Sequence, residues 1–404
     1  MIFSAERFDR SCVFYCILFC VIFMAARTSA DQSIPTENAR ISAGAQVFSK
    51  SCLPCHGSNS PAALDLTDPI ALRRRATTAA QIVRDGLMPP WLPSESGAPL
   101  KHSRTLSAID RAALLEWLDQ NAPGKILAVE VPPLLPQKCV MTVRVAEDWP
   151  VGADPGMTLR SFAIAQDPTM NPEGPKFFNT IEFVADAPGV VHGISFLWDE
   201  LGYAARLDAS NPAPGYDAVG DIGLQVSGSG GGVSRLSTFW RLPKGYAMKI
   251  PTTAVLVAEV HAEGRGKVES PAGTVCFVGP DFPFKLVHPI AISPSRPATI
   301  AVACEAVSIS IRAGSRVQSI DIFAKDVKGQ LQCVLNIPKW NERLGEPWMF
   351  DPPLALNAGT ELIVQSTLNA DAVKTPLDAH AAAMSQPMIV VLVADKDANL
   401  IREK

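Results

Sequence analysis

Two cysteines separated by two residues, with a histidine directly behind them, stand at Cys52-Leu53-Pro54-Cys55-His56 of this 404-residue chain. That spacing is the attachment signature of a c-type haem. Each thiol adds across one vinyl group of the porphyrin, and the adjacent imidazole is then held close enough to ligate the iron. His56 takes one face of the metal. For the other face the sequence offers Leu87-Met88-Pro89-Pro90-Trp91, where Met88 follows His56 by 32 residues. Pro89 biases Met88 towards an extended backbone, and a thioether opposite a histidine raises a haem's reduction potential. Met88 is the expected axial ligand; His102 and an open iron are the alternatives.

These donors need helices to hold them. Glu37 to Lys50 reads as a helix, with Gly44 and Phe48 one turn apart on it. Ser107 with Asp110 makes a capping box, opening a helix that runs to the stop signal Asn121-Ala122-Pro123-Gly124. Trp117 on that helix is the candidate to pack at Gly44 and Phe48. A third helix is expected over Thr77 to Asp85, closed by Gly86 as a C-cap glycine. Arg73-Arg74-Arg75 reads first as a solvated face, with a haem propionate or an acidic redox partner as the functional alternative.

Arg7 and Arg10 flank an apolar run of about sixteen residues, Ser11 to Ala26, followed by small residues up to Ala30. This is the pattern of a cleaved leader, short of the roughly twenty residues of a membrane span; an uncleaved anchor is the rival. Both readings place the chain outside the cytoplasm, in a periplasmic or otherwise exported compartment. The formal net charge of -4 gives no electrostatic reason to invoke nucleic acid. Of the nine cysteines, Cys12, Cys16 and Cys20 fall in the leader, and Cys52 and Cys55 go to haem. Cys139, Cys276, Cys304 and Cys333 are left for up to two disulfides in any of three pairings, or for buried thiols.

Past Gly124 the texture changes. Lys125 to Lys138 is a proline-rich connector. Short runs rich in Val, Ile, Thr and Phe then recur between turn residues: Val190 to Trp198, Ala254 to His261, Thr299 to Ile311, Val317 to Ala324, Leu331 to Ile337, Glu361 to Thr367 and Met388 to Ala394. Such spacing predicts strands. The glycine run Ser227 to Ser234 lacks the lysine of a phosphate-binding loop and reads as a flexible surface loop.

Gly44 to Gly124 resembles a small bacterial class I-type cytochrome c. More narrowly, the Met-Pro-Pro-Trp loop and the Leu106 to Trp117 stretch look like cytochrome domains fused to a peptidylglycine monooxygenase-like copper module in exported bacterial proteins. That resemblance implies two copper sites, one using a His-His pair and a later histidine, the other a His-x-His pair and a methionine. Here His192 and His261 match the first set, but Gly193 replaces its second histidine. Arg312 and Gly314 stand where the His-x-His imidazoles belong, and Met388 matches the methionine, with Met384 as another register. A divalent copper prefers imidazole nitrogen, so His192, His261 and Met388 read as a remnant site, with Glu263 a candidate third donor, or as residues of an inherited scaffold. His288 and His380 lie off the matched positions.

The resulting expectation is multidomain: a leader at 1–30, an all-α cytochrome c domain at 31–124, a linker at 125–138, and two all-β sandwich (jelly-roll-like) domains at 139–284 and 285–404. The expected function is an exported monohaem cytochrome for electron transfer, with one covalent haem c and a redox partner protein. The β module would serve partner or small-molecule binding. The alternative is a copper-dependent monooxygenase whose haem feeds electrons to a non-standard copper site.

Overall fold

The computed structural model describes residues 37–57, 64–101, 103–124, 126, 139–153, 157–164, 176–187, 190–217, 229–234, 239–251, 253–264, 266–369 and 386–401. The leader, nearly all of the linker, His102, His380 and Met384 lie outside these residues.

Helix starts and stops follow local chemistry. Helix α1 spans Glu37–Ser51 and α2 Leu53–His56. Helix α3 spans Pro69–Arg84, eight residues longer at its start than the sequence reading. Asp68 accepts a 2.9 Å hydrogen bond from the Ile70 amide, and Pro69 occupies the first turn, where its missing N–H is no loss. Gly86, at φ +69°, ends it. Arg73, Arg74 and Arg75 are exposed on this helix. Helix α4, Ala108–Asp119, opens on Ser107, whose hydroxyl accepts from the Asp110 amide at 3.0 Å and donates to its carboxylate at 2.9 Å. Phe48, Leu72, Ala76, Leu114, Trp117 and Leu118 form the small core between α1, α3 and α4.

The remaining elements, in order, are β1 Cys139–Val145, β2 Met157–Ile164, β3 Phe177–Phe178, β4 Thr180–Ala185, β5 Val191–Asp199 and the short helix α5 Tyr203–Ser210. Next come β6 Ser229–Ser234, β7 Phe239–Arg241, β8 Tyr246–Lys249, β9 Val255–Glu263, β10 Gly273–Val278, β11 Lys285–Leu286, β12 His288–Ile292 and β13 Ala298–Thr299. Last are β14 Cys304–Arg312, β15 Val317–Lys325, β16 Leu331–Ile337, β17 Trp348–Leu356, β18 Glu361–Leu368 and β19 Met388–Asp395. They pair into five small sheets, ordered β1-β10-β4-β7, β2-β9-β5-β6, β11-β8-β3, β12-β19-β14-β17 and β13-β18-β15-β16.

Strand β19 shows why these sheets stack. Every residue from Ile389 to Ala394 is buried. Ile389, Val391 and Val393 enter the core shared with β15 and β18, while Val390, Leu392 and Ala394 enter the core built around Phe196, Phe277 and Trp240. A strand covered on both faces reads as a continuous apolar run, and each such side chain contributes about 2 kcal/mol by burial. One disulfide, Cys139–Cys276, joins β1 to β10 with a Cα–Cα distance of 5.4 Å. Cys304 and Cys333 are reduced.

This architecture corrects the expected fold class. The chain is mostly strand, its described helices are five short segments, and no sizeable all-α cytochrome domain followed by two closed jelly-roll sandwiches is present among the described residues. The physical reason lies in where apolar side chains go. Trp91, Leu92, Ala98 and Leu100, counted with the helices in the sequence, pack on the core of the last two sheets instead. The backbone follows them: Ala98 N–H bonds Val334 O at 3.0 Å and Lys101 N–H bonds Met349 O at 2.8 Å. The glycine run is a second correction. Its residues from Ser229 onward form β6, paired with β5, and a Cβ at Gly232 would stand 2.6 Å from the Ile194 carbonyl oxygen. Glycine is there for close approach of two strands, not for a loop.

Candidate functional site

The haem signature is positioned by a helix crossing. At Gly44 a Cβ would lie 2.3 Å from the Trp117 Cβ and 2.6 Å from the Ala113 carbonyl oxygen, so only glycine lets α1 and α4 meet there. Phe48 and Trp117 then pack with ring centroids 5.2 Å apart and planes tilted by 49°. The Trp117 indole donates to Pro123 O at 2.9 Å, which satisfies the polar edge of a buried ring. Directly after α1, Cys52 N–H bonds Phe48 O at 2.8 Å, and the amides of Cys55 and His56 both return to Cys52 O. Buried Leu53 anchors that turn. Cys52, Cys55 and His56 are thereby brought onto one short helical turn.

The imidazole of His56 is oriented. Its Nδ1 lies 2.9 Å from Leu64 O, a contact a carbonyl can make only by accepting, so Nδ1 carries a proton and, in the neutral ring, Nε2 keeps its lone pair. A histidine fixed this way is prepared as a metal ligand. Neither thiol is in a disulfide. Burial, aided by neighbouring Cys55, pushes the Cys52 thiol up to about 12. Burial also raises Cys55, with Arg104 opposing and Glu346 reinforcing. Both thiols are half-buried and unbridged. The donor set fits haem attachment.

Met88 lies on the loop after α3 and is 38% exposed. Arg104 links this loop to the haem turn. It donates to Pro90 O at 3.3 Å, lies 5.7 Å from the Trp91 ring centroid, and acts electrostatically on Cys55. Its guanidinium also forms a two-pronged ion pair with the buried Glu346, at 2.5 and 2.7 Å. Sequence reasoning missed this pair, since 242 residues separate its members.

The chain contains a cytochrome c-like region. It is 37% identical over 73 residues to the Cbb3-type cytochrome c oxidase subunit CcoP of Rhodobacter capsulatus, a match covering 16% of this chain and 25% of that protein. The chain thus matches about a quarter of that relative's length. No protein-family model matches the chain. Among solved structures, the match to the T=1 particle derived from infectious bursal virus covers 62% of this chain and 74% of that chain at 13% identity, with a TM-score of 0.12.

A second site lies among the sheets. His192 on β5, His261 on β9, Arg312 on β14 and Met388 on β19 all line one cavity of about 440 Å³. Arg312 and Met388 are direct partners across the β14–β19 ladder. The candidate residues of the copper reading therefore converge, and Nε2 of each histidine is already engaged by a carboxylate. His192 Nε2 lies 2.7 Å from Glu263 Oε2, and His261 Nε2 lies 3.0 Å from Glu259 Oε1. The other oxygen of Glu259 binds the Arg312 guanidinium. Burial alone would push Glu259 up; the Arg312 charge and the His261 hydrogen bond outweigh it and hold the carboxyl at about 2. A fixed guanidinium cation beside two carboxylate-bound imidazoles does not fit copper, and no group of three or more His, Cys, Asp or Glu suited to a metal occurs among the described residues. His288 is exposed on β12, away from this cavity.

Glu259 is the residue the sequence could have surrendered. It interrupts the run Val255-Leu256-Val257-Ala258-Glu259-Val260 and shares a strand face with His261 and Glu263 by the two-residue period. A carboxylate in such a run demands a buried partner.

Proposed function

We propose that this protein is an exported monohaem c-type cytochrome that transfers electrons to or from a redox partner protein. Its β sheets are a peptidylglycine monooxygenase-like module whose copper donors have been replaced, retained for binding a partner or small ligand. Cys52 and Cys55 would hold the haem through thioethers, with His56 Nε2 and Met88 Sδ supplying ligands to its iron. When bound, the haem supplies one-electron iron redox chemistry. The chain's own residues attach it, orient His56 through Leu64 O, and set polarity through Arg104 and Glu346.

The observation that carries this reading is the His56 Nδ1 to Leu64 O contact on the same turn as two reduced thiols. Export is supported by the N-terminal leader pattern, and no described helix is long and apolar enough to cross a membrane. The test is production with haem attachment in an exporting host. One covalent haem per chain is expected, and the oxidised protein should show the thioether-to-iron absorption band. Met88→Ala should remove that band while haem stays attached. A band that survives excludes Met88 as ligand, and a chain that acquires no covalent haem overturns the whole reading.

A further inference from the structure

Two prolines make the Met88 loop hard to hold. Leu87 N–H bonds Ile82 O at 3.0 Å, which ties the near side of Met88 to α3. Pro89 and Pro90 carry no N–H, so on the far side the backbone can be fixed only through carbonyls or side chains. Arg104 supplies that hold. Its Nη1 donates to the carbonyl of buried Pro90 at 3.3 Å, and its guanidinium lies 5.7 Å from the ring centroid of the next residue, Trp91. Between Pro90 and Arg104 the chain leaves the helices and bonds to the last sheets. Ser94 N–H meets Asn336 O at 2.8 Å, and Asp351 N–H meets Pro99 O at 3.0 Å. The Arg104–Pro90 bond closes this excursion.

What keeps Arg104 in place comes from the β region. Both oxygens of Glu346 receive its guanidinium, at 2.5 and 2.7 Å, and the two side chains are only 25% and 8% exposed. Glu346 stands on the turn before β17, and that turn is packed on buried Trp340. The Trp340 indole donates to Ala313 O at 3.1 Å, and a Cβ at Gly345 would stand 3.0 Å from its ring. A two-pronged contact of this kind fixes the plane of a guanidinium as well as its position. Stability alone accounts poorly for such a pair. Removing two charges from water offsets most of their attraction, and apolar replacements are often as stable. Orientation is what the pair adds, and the group it orients is the one that holds Pro90 and Trp91.

We infer that Arg104, held by Glu346 of the β region, is a positioning residue that keeps Met88 at the iron. This rests on the reading of Cys52, Cys55, His56 and Met88 as a haem site and goes beyond it, because the sheets then set how firmly that methionine is held. Arg104 acts through Pro90 and Trp91. It is not itself a ligand, since a guanidinium has no lone pair to offer.

Titration of the oxidised, haem-loaded full chain with imidazole tests it. Free imidazole takes the methionine's place only where Met88 has left the iron, so its apparent affinity rises with the fraction of chains whose loop is released. Arg104→Lys keeps a cation for Glu346 but loses the planar fork. That variant should bind imidazole tighter by about tenfold or more, the factor that one charge-assisted hydrogen bond contributes. Its thioether-to-iron band should also fade on warming before the sheets melt. If it folds poorly, Arg104→Met with Glu346→Gln leaves no buried charge and should show the same gain in imidazole affinity at a thermal midpoint close to the parent's. Parental imidazole affinity in both variants, or a fall in thermal midpoint alone, overturns the inference and makes the pair a plain tie between helices and sheets. Met88→Ala distinguishes the two readings. A band that survives it refutes Met88 as ligand and the inference with it. A band lost there, together with parental imidazole affinity in the Arg104 variants, refutes the positioning role alone.

Discussion

The haem turn and the sheet cavity both carry histidines, and they differ in which nitrogen is spoken for. At the haem turn a backbone carbonyl holds Nδ1 of His56 and leaves Nε2 as a donor to a metal. In the cavity, Nε2 of His192 and Nε2 of His261 are each held by a carboxylate, and the positive charge is a guanidinium. The outer partner, not the histidine, decides which ring nitrogen is left open to a ligand. Counting imidazoles makes the two regions look alike; tracing their hydrogen bonds separates them.

The strongest way to break this contrast is at the haem turn. His56→Ala removes the oriented donor and should leave the iron without its histidine ligand, collapsing the axial absorption spectrum of the product. A native-like spectrum in that variant would show that another residue ligates iron. At the cavity the corresponding change is Arg312→Met. It leaves fully buried Glu259 with only the His261 contact, and should destabilise the chain by about 3 kcal/mol, read as a fall in thermal or denaturant midpoint. Adding Glu259→Gln should recover most of that loss, because the unpaired charge is then gone. A double variant as unstable as the single one would mean that packing, rather than charge, explains Arg312.

Much of this was visible in the residues, and the failures are instructive. The capping box at Ser107 and the strands β15, β16, β18 and β19 lie within about two residues of where periodicity put them, because local caps and apolar runs decide them. Helix α3 begins at Pro69 because Asp68 caps it, eight residues before the Thr77 start of the sequence reading. The destination of Trp91 to Leu100 was not legible, since nothing local says which of two cores an apolar segment will join. Nor was the Cys139–Cys276 pairing. It depends on the register of β1 against β10, which slips between Cys139 and Met141. The cavity residues were found as separate positions. Their engagement with Glu259 and Glu263 is a tertiary fact.

A smaller effect tests the scaffold of the haem turn. Gly44→Ala inserts a methyl group where Trp117 and the Ala113 carbonyl already stand, and both are anchored. The crossing of α1 and α4 must open, at a cost of about 3 kcal/mol from overpacking. The measurement is the thermal midpoint followed by haem-region absorbance, with the sheet signal as internal reference. A variant as stable as the parent would mean the two helices slide freely, and the Phe48–Trp117 contact would then not be what positions Cys52.

The smallest effect is a pH dependence confined to the cavity. The Glu259 carboxyl is held at about 2 against an ordinary value of 4.5, under the opposing influences of burial, Arg312 and His261. A carboxyl depressed by folding contributes stability that is complete above its unfolded value and is lost as pH falls towards its folded value. Stability should therefore be flat in this respect above about pH 5, decline from about pH 4.5, and be lower by about 2 kcal/mol at pH 3. Other carboxylates titrate in the same window, so the informative quantity is a difference. The Glu259→Gln, Arg312→Met protein lacks this pair and should show a shallower acid limb than the parent, by that amount. Parallel acid limbs would mean that Glu259 is not ionised against Arg312. The cavity would then lack the ion pair that distinguishes it from the haem turn.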